Sequence, residues 1–225
     1  MSRTVMVTGA GRGIGLELCR QLAASGDSVI ACVRDPRSAA PLQGIASDVV
    51  SLDVTSAASR AAAAALLRGR PIDVLINNAG VSSTSTSLGT LDLDEVSRVF
   101  QVNSVGPLAV SQLLLSNLRA GKSKLVVNMT SQLGSITNNK GGSSYAYRAS
   151  KAALNMLTVC QARELEREGF ICVAIHPGWV RTDMGGPHAP LSVEQSARAI
   201  LSTMNALTPD KSGSFLNYDG ATLPW

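Results

Sequence analysis

The chain has 225 residues, 45% of them hydrophobic and 16% charged, which is enough apolar material for one sizeable core and excludes a disordered protein. Its net charge of +4 comes from scattered Lys and Arg, so nucleic acid is not implied, although the balance suits an anionic ligand. No apolar run reaches the ~18 residues of a membrane span, and no charged leader precedes the first apolar segment, so a soluble cytoplasmic protein is expected.

The first element is a strand over 3–8, a short run with β-branched residues. It enters Gly9-Ala-Gly-Arg-Gly-Ile-Gly15 and a helix over 13–25 whose apolar positions are Ile14, Leu18 and Leu22. Strand, glycine-rich turn and helix form the opening unit of a dinucleotide-binding fold, because glycines let the backbone approach a pyrophosphate at a helix N-terminus. The pattern is T-G-x-x-x-G-I-G; G-x-G-x-x-G fails because Ile14 stands where its last glycine belongs. A second strand, 28–33, ends at Arg34-Asp35. A third, 48–52, precedes Asp53-Val54 and an alanine-rich surface helix over 56–68. The fourth, 72–76, runs into Asn77-Asn78-Ala79-Gly80, which by composition alone is a turn. The polar loop Val81–Gly89 is expected to be mobile. A long helix over 92–118 follows, opened by an Asp92–Glu95 capping box and carrying Asn103. A fifth strand, 124–130, delivers Ser131 and a second mobile loop, Ser135–Ser144. Then come a helix over 145–168, a strand over 170–176, Pro177-Gly178, a helix over 192–206 capped by Ser192 and Gln195, and a last strand over 214–217. Cys19, Cys32, Cys160 and Cys172 lie too far apart for a zinc site, so no metal is expected, and each thiol is expected to be buried.

Most of these strands are continuous apolar runs, as in a parallel sheet buried on both faces. Alternation with helices predicts an α/β fold: a doubly wound, Rossmann-type parallel sheet of about seven strands, as a single domain over 1–225.

The chemistry concentrates between Ser131 and Lys151. Tyr147 and Lys151 share one helix face, one turn apart. A nearby cation stabilises a phenolate and lowers its pKa toward working pH, and a serine hydroxyl from the strand end can bond the same oxygen or a substrate carbonyl. That set is a proton relay for a carbonyl or an alcohol. Tyr145 lacks the partner cation, because Ala149 stands one turn on.

Thr8-Gly-Ala-Gly-Arg-Gly-Ile-Gly15, Asp53-Val54, Asn77-Asn-Ala-Gly80, Asn103, Ser131, Tyr147-x-x-x-Lys151 and Pro177-Gly178 together resemble the classical short-chain dehydrogenase/reductase family. The text from His176 to Gly186 and from Gly213 to Gly220 is similar to its C-factor/sniffer-like carbonyl reductase branch. The resemblance implies roles. Tyr147 is the acid in reduction and the base in oxidation. Lys151 tunes it and binds the nicotinamide ribose. Ser131 orients the carbonyl, and Asn103 extends the proton path. It further implies dinucleotide contacts at Gly9, Arg12, Gly13, Ile14, Gly15, Arg34, Asp53, Val54, Asn78, Ala79, Gly80, Tyr147, Lys151, Pro177, Val180 and Thr182.

Val33 stands where the family places an NAD-selecting carboxylate, and Arg34 follows, so NADP(H) is expected over NAD(H). Arg12 is a second clamp for the 2′-phosphate, and Asp35 is the residue that argues the other way. Trp179 and Met184 either line a substrate pocket with Ser131, Leu133 and Tyr147 or fill the core. His176 ends an apolar strand and reads as structural; His188 has no evident partner. Two glycines and two prolines between Met184 and Leu191 leave no room for a helical lid, so a permissive site is expected. The expected activity is NADPH-dependent reduction of ketones and aldehydes. The alternatives are a signalling protein that binds the dinucleotide without turnover, and an alcohol dehydrogenase working in oxidation. Partners are a small carbonyl or alcohol substrate, with no nucleic acid and no membrane. The apolar faces of the helices bearing Asn103 and Tyr147 suggest a homodimer or homotetramer.

Overall fold

The computed structural model describes residues 2–225. Seven strands, β1 (Thr4–Thr8), β2 (Ser28–Val33), β3 (Asp48–Ser51), β4 (Val74–Asn77), β5 (Leu125–Met129), β6 (Ile171–His176) and β7 (Phe215–Asn217), form one sheet in the order β3-β2-β1-β4-β5-β6-β7. Every neighbouring pair is parallel. The order reverses between β1 and β4, which opens a crevice at the carboxyl ends of those strands.

Both faces are covered, as the apolar strands require. Side chains alternate across the sheet. Val5, Val7, Val127 and Ile175 point to one side and pack with Leu18 and Leu22 of α1 (Gly13–Ala24) and Ile200 and Met204 of α7 (Val193–Asn205). Met6, Leu75, Val126 and Cys172 point to the other. There they meet Ala63 of α2 (Ala57–Leu66), Val110 of α4 (Gly106–Leu113), Leu118 of α5 (Leu115–Ala120) and Leu165 of α6 (Tyr145–Leu165).

The helix expected over 92–118 is broken. It comprises α3 (Leu93–Phe100), a π turn over Gln101–Val105, α4 and α5. Pro107 has no N–H to donate to the carbonyl one turn back, so the backbone widens at Asn103 instead of continuing. Gly106 lets the widened segment approach Val54, whose Cγ2 would lie 2.9 Å from a Cβ there.

The caps divide. Ser192 and Gln195 form a full capping box. Asp92 accepts from the amides of Asp94 and Glu95, but the Glu95 carboxylate turns away to Thr84 and Ser85, so the expected second box is only half formed. Cys19, Cys32 and Cys172 are buried, whereas Cys160, on the outward face of α6, is exposed, contrary to expectation. Among the described residues no helix is long and apolar enough to cross a membrane, and no cluster of His, Cys, Asp and Glu could hold a metal.

Candidate active site

The glycine turn after β1 is built for close approach. Gly9 has φ +67°, and a Cβ there would sit 2.9 Å from Ala79 Cα. A Cβ at Gly15 would collide with the Gly9 carbonyl and lie 2.5 Å from Asn78 Nδ2. Thr8 and Asn78 stitch the ends of β1 and β4 together. Thr8 Oγ1 accepts from the amides of Asn78 and Ala79, each at 3.0 Å, and Asn78 Nδ2 donates to Thr8 O at 2.9 Å. The first turn of α1 has no acidic residue and no side-chain cap, so its amides remain available to an anion. Gly13 and Thr182 face each other, with Thr182 Cγ2 3.5 Å from a Cβ placed at Gly13. This cradle fits a dinucleotide's pyrophosphate.

At the far end of the crevice, Arg34 follows β2 and is exposed, with no ion pair among the described residues. Asp35 is already engaged: its carboxylate accepts from Arg37 Nε at 3.0 Å and Nη2 at 2.7 Å and caps the following 3₁₀ turn. Asp53 accepts from the Thr55 amide at 2.9 Å and hydroxyl at 2.7 Å, which hold its carboxyl below the usual range, with help from the nearby charges of Arg34 and Arg60. Val54 is buried against Gly106. Arg12 is exposed and carries an ion pair. Its Nη1 reaches Asp183 Oδ2 at 2.6 Å across the crevice mouth, because that carboxylate lies on the facing loop after β6.

The four expected catalytic residues converge. Lys151 is 4% exposed, and its Nζ lies 5.9 Å from the centre of the Tyr147 ring and donates to Met129 O at 2.8 Å. Asn103, at the π turn, accepts from Val81 N at 2.9 Å and donates to Val81 O at 2.9 Å and Ser150 Oγ at 3.1 Å, tying the loop after β4 to α6. Both Asn103 Oδ1 and Lys151 Nζ border Gly80, at 3.4 and 3.6 Å from a Cβ built there. Ser131 Oγ accepts from Leu133 N at 3.1 Å and lies close enough to the Tyr147 phenol to act on its ionisation.

The electrostatics modify the expectation. Burial pushes the Tyr147 hydroxyl above its ordinary value, and only Ser131 opposes that. Burial pushes Lys151 down to about 8. Desolvation therefore outweighs the Ser131 hydrogen bond at the phenol, and no lowering by the Lys151 cation offsets it.

Ser131, Leu133, Tyr147, Trp179 and Met184 line one cavity of about 420 Å³, together with Ile14, Pro177, Val180 and Thr182 of the crevice. Trp179 and Met184 are half exposed and do not fill the core. The segment after β6 contains no helix, as its glycines and prolines predict, but it is braced. Trp179 Nε1 donates to Gly185 O at 2.7 Å, and Arg181 Nη1 donates to Ala189 O at 2.9 Å. Eight further lining residues were not among the expected site residues: Ser82, Ser83, Thr130, Gln132, Ser144, His176, Gly178 and Gly185. Their only sequence signal is position, since each lies in a segment bordering the carboxyl end of a strand. The loop holding Ser82 and Ser83 is not free. Glu95 accepts from Thr84 N, Thr84 Oγ1 and Ser85 N, each at 2.9 Å, and from Ser83 Oγ at 3.2 Å, and these bonds hold its carboxyl at about 2. The other loop, 135–144, is pinned where Thr137 N donates to Trp225 O at 2.9 Å.

The pattern of the short chain dehydrogenase family matches residues 3–190. The "C-signal" protein of Myxococcus xanthus is 47% identical over 155 residues, 69% of this chain and 93% of that protein. Among solved structures, an NADPH-bound carbonyl reductase from chicken fatty liver superposes with a TM-score of 0.93 at 38% identity, covering 100% of this chain and 99% of that one. The carbonyl reductase Sniffer of D. melanogaster superposes with a TM-score of 0.92 at 31% identity, covering 100% of each chain.

Proposed function

Because the chain belongs to the short chain dehydrogenase family, we propose that this oxidoreductase reduces ketones and aldehydes to alcohols with NADPH. The observation that carries the proposal is the meeting of Ser131 and Tyr147 at one cavity that opens beside the glycine cradle, with the buried Lys151 ammonium 5.9 Å from the centre of the Tyr147 ring.

The turn Gly9–Gly15 and the ends of β1 and β4 would hold the dinucleotide, with Asp53 and Val54 at the adenine, Asn78, Ala79 and Gly80 at its ribose, and Pro177, Val180 and Thr182 at the nicotinamide. Bound there, NADPH supplies the hydride. Ser131 holds the carbonyl oxygen by a hydrogen bond. Tyr147, kept protonated by its burial, gives its proton to that oxygen as the negative charge develops. Lys151 stabilises the phenolate left behind, and Asn103 would extend the proton path through water to Lys151. NADP is favoured over NAD because Arg34 stands free at the end of β2 while Asp35 is occupied by Arg37. The test is NADPH consumption with a panel of ketones, aldehydes, quinones and 3-oxoacyl esters. Turnover of several classes is expected.

The likeness to C-signal supports a second reading, a signalling protein that binds the dinucleotide without turnover. Dinucleotide binding with no turnover of any carbonyl would favour it. Oxidation of the matching alcohols with NADP⁺ separates a reductase from a dehydrogenase.

A further inference from the structure

His176 closes β6, is 7% exposed, and forms part of the cavity wall with Ser131 and Tyr147. No hydrogen bond to a described residue reaches either ring nitrogen, and Nδ1 is sealed from solvent without a partner. Its neighbours in the sheet are satisfied elsewhere. Thr130, next after the Met129–Ile175 pair, donates to Asn155 Oδ1 at 2.7 Å, and Asn217, the register partner of His176, donates to Asp219 Oδ1 at 2.9 Å. A histidine placed there only for structure would bond one of them, since a buried polar atom left unpaired costs about 1–3 kcal/mol.

Burial pushes the imidazole down to about 4, so the ring is neutral at working pH. Buried N–H groups without partners are rarer than buried bare acceptors. The sealed Nδ1 is therefore the acceptor, and the proton resides on Nε2, the nitrogen left with access to the cavity. The lining contains no Lys or Arg, so this N–H is a fixed, uncharged donor beside the two hydroxyls that receive the reacting oxygen.

We propose that His176 is a specificity-determining residue whose Nε2–H binds a second hydrogen-bond acceptor on the substrate, so that the site favours neutral dicarbonyl compounds over matching monocarbonyls. The inference rests on the reductase reading. An uncharged donor favours a ketone or ester oxygen, and nothing in the cavity wall adds a charge for a carboxylate.

The test compares kcat/KM for an aryl 1,2-diketone and a 3-oxo ester with that of the matching monoketones, in the wild type, His176→Leu, His176→Gln and His176→Asn, alongside the Kd for NADPH. Glutamine carries its amide nitrogen to the place of Nε2, and asparagine to that of Nδ1. The dicarbonyl-to-monocarbonyl ratio should fall about tenfold in His176→Leu, the scale of one neutral hydrogen bond. It should recover in His176→Gln and not in His176→Asn, with NADPH affinity within about twofold throughout. An unchanged ratio, or an equal loss for both substrate types, overturns the proposal, as does a loss confined to NADPH binding. A second readout is independent of turnover: the ¹⁵N signal of His176 in the NADP⁺-loaded wild type. Addition of the diketone should shift the Nε2–H resonance, and no shift overturns the proposal. A wild type that turns over no carbonyl while this resonance shifts defeats the reductase reading and leaves the His176 contact standing.

Discussion

Lys151 holds a buried ammonium against one carbonyl oxygen, with burial lowering its pKa from 10.5 to about 8. Below about 8 the native protein carries this charge at a cost that the unfolded chain does not bear. Between about 8 and 10.5 the unfolded state binds the extra proton, so this residue makes stability rise with pH there. Lys151→Met should therefore abolish turnover yet raise the Tm of the cofactor-free protein at pH 7 by roughly 2 °C or more, the shift that about 1 kcal/mol gives a chain of this length. A lower Tm in a scanning calorimeter would mean that the bond to Met129 O outweighs the desolvation. The other test at this scale is cofactor choice. Arg34→Asp removes the free guanidinium and places a carboxylate at the end of β2. The NADPH-to-NADH ratio of kcat/KM should drop by about 10- to 100-fold, as expected for a charge-assisted hydrogen bond. An unchanged ratio would show that Arg34 does not read the 2′-phosphate.

The loop after β4 and the helix after it work as one element, because Glu95 gathers the Ser83, Thr84 and Ser85 donors into one carboxylate. Glu95→Ala should free Ser82 and Ser83 from the cavity wall. KM for carbonyl substrates should rise about 5- to 10-fold, with kcat and NADPH Kd changed far less, since the relay on α6 is untouched; a fall in kcat at constant KM would contradict this. The same element marks what the sequence could convey. Tyr147 and Lys151 were legible because one helical turn is a local relation, and the glycine cradle because its spacing lies within one strand–turn–helix unit. The π turn at Asn103 was not legible, since apolar periodicity over 92–118 is blind to one widened turn. Glu95 matched a capping pattern, but donors from a different loop captured it. Cys160 lies in an apolar run yet faces outward on α6. His176 reads as structural at the end of an apolar strand, and only the fold reveals that it borders the cavity.

The whole molecule packs helices on both faces of one parallel sheet, and among the described residues thirteen large apolar side chains remain exposed. Four of them, Val105, Leu108 and Leu113 around α4 and Met156 on α6, are exposed on the two elements that bear Asn103 and Tyr147. The proposed assembly is a homodimer or homotetramer through these helices. Light scattering at micromolar concentration should give at least twice the chain's 23.4 kDa, and a monomer would count against it. The braced but helix-free segment after β6 leaves a site formed by a few donors and apolar walls. No substrate should exceed all other carbonyl classes by about 10⁴-fold in kcat/KM, the margin that polar recognition of a whole ligand can give. The central claim is that Tyr147 delivers a proton to a carbonyl in a site that binds NADPH independently of that proton. It is tested most directly by measuring kcat for a ketone and Kd for NADPH in the wild type and in Tyr147→Phe. The account predicts that kcat falls by at least about 10²-fold, as expected for loss of a general acid, while Kd stays within about threefold. Ordinary reductase activity in a correctly folded Tyr147→Phe protein would contradict it.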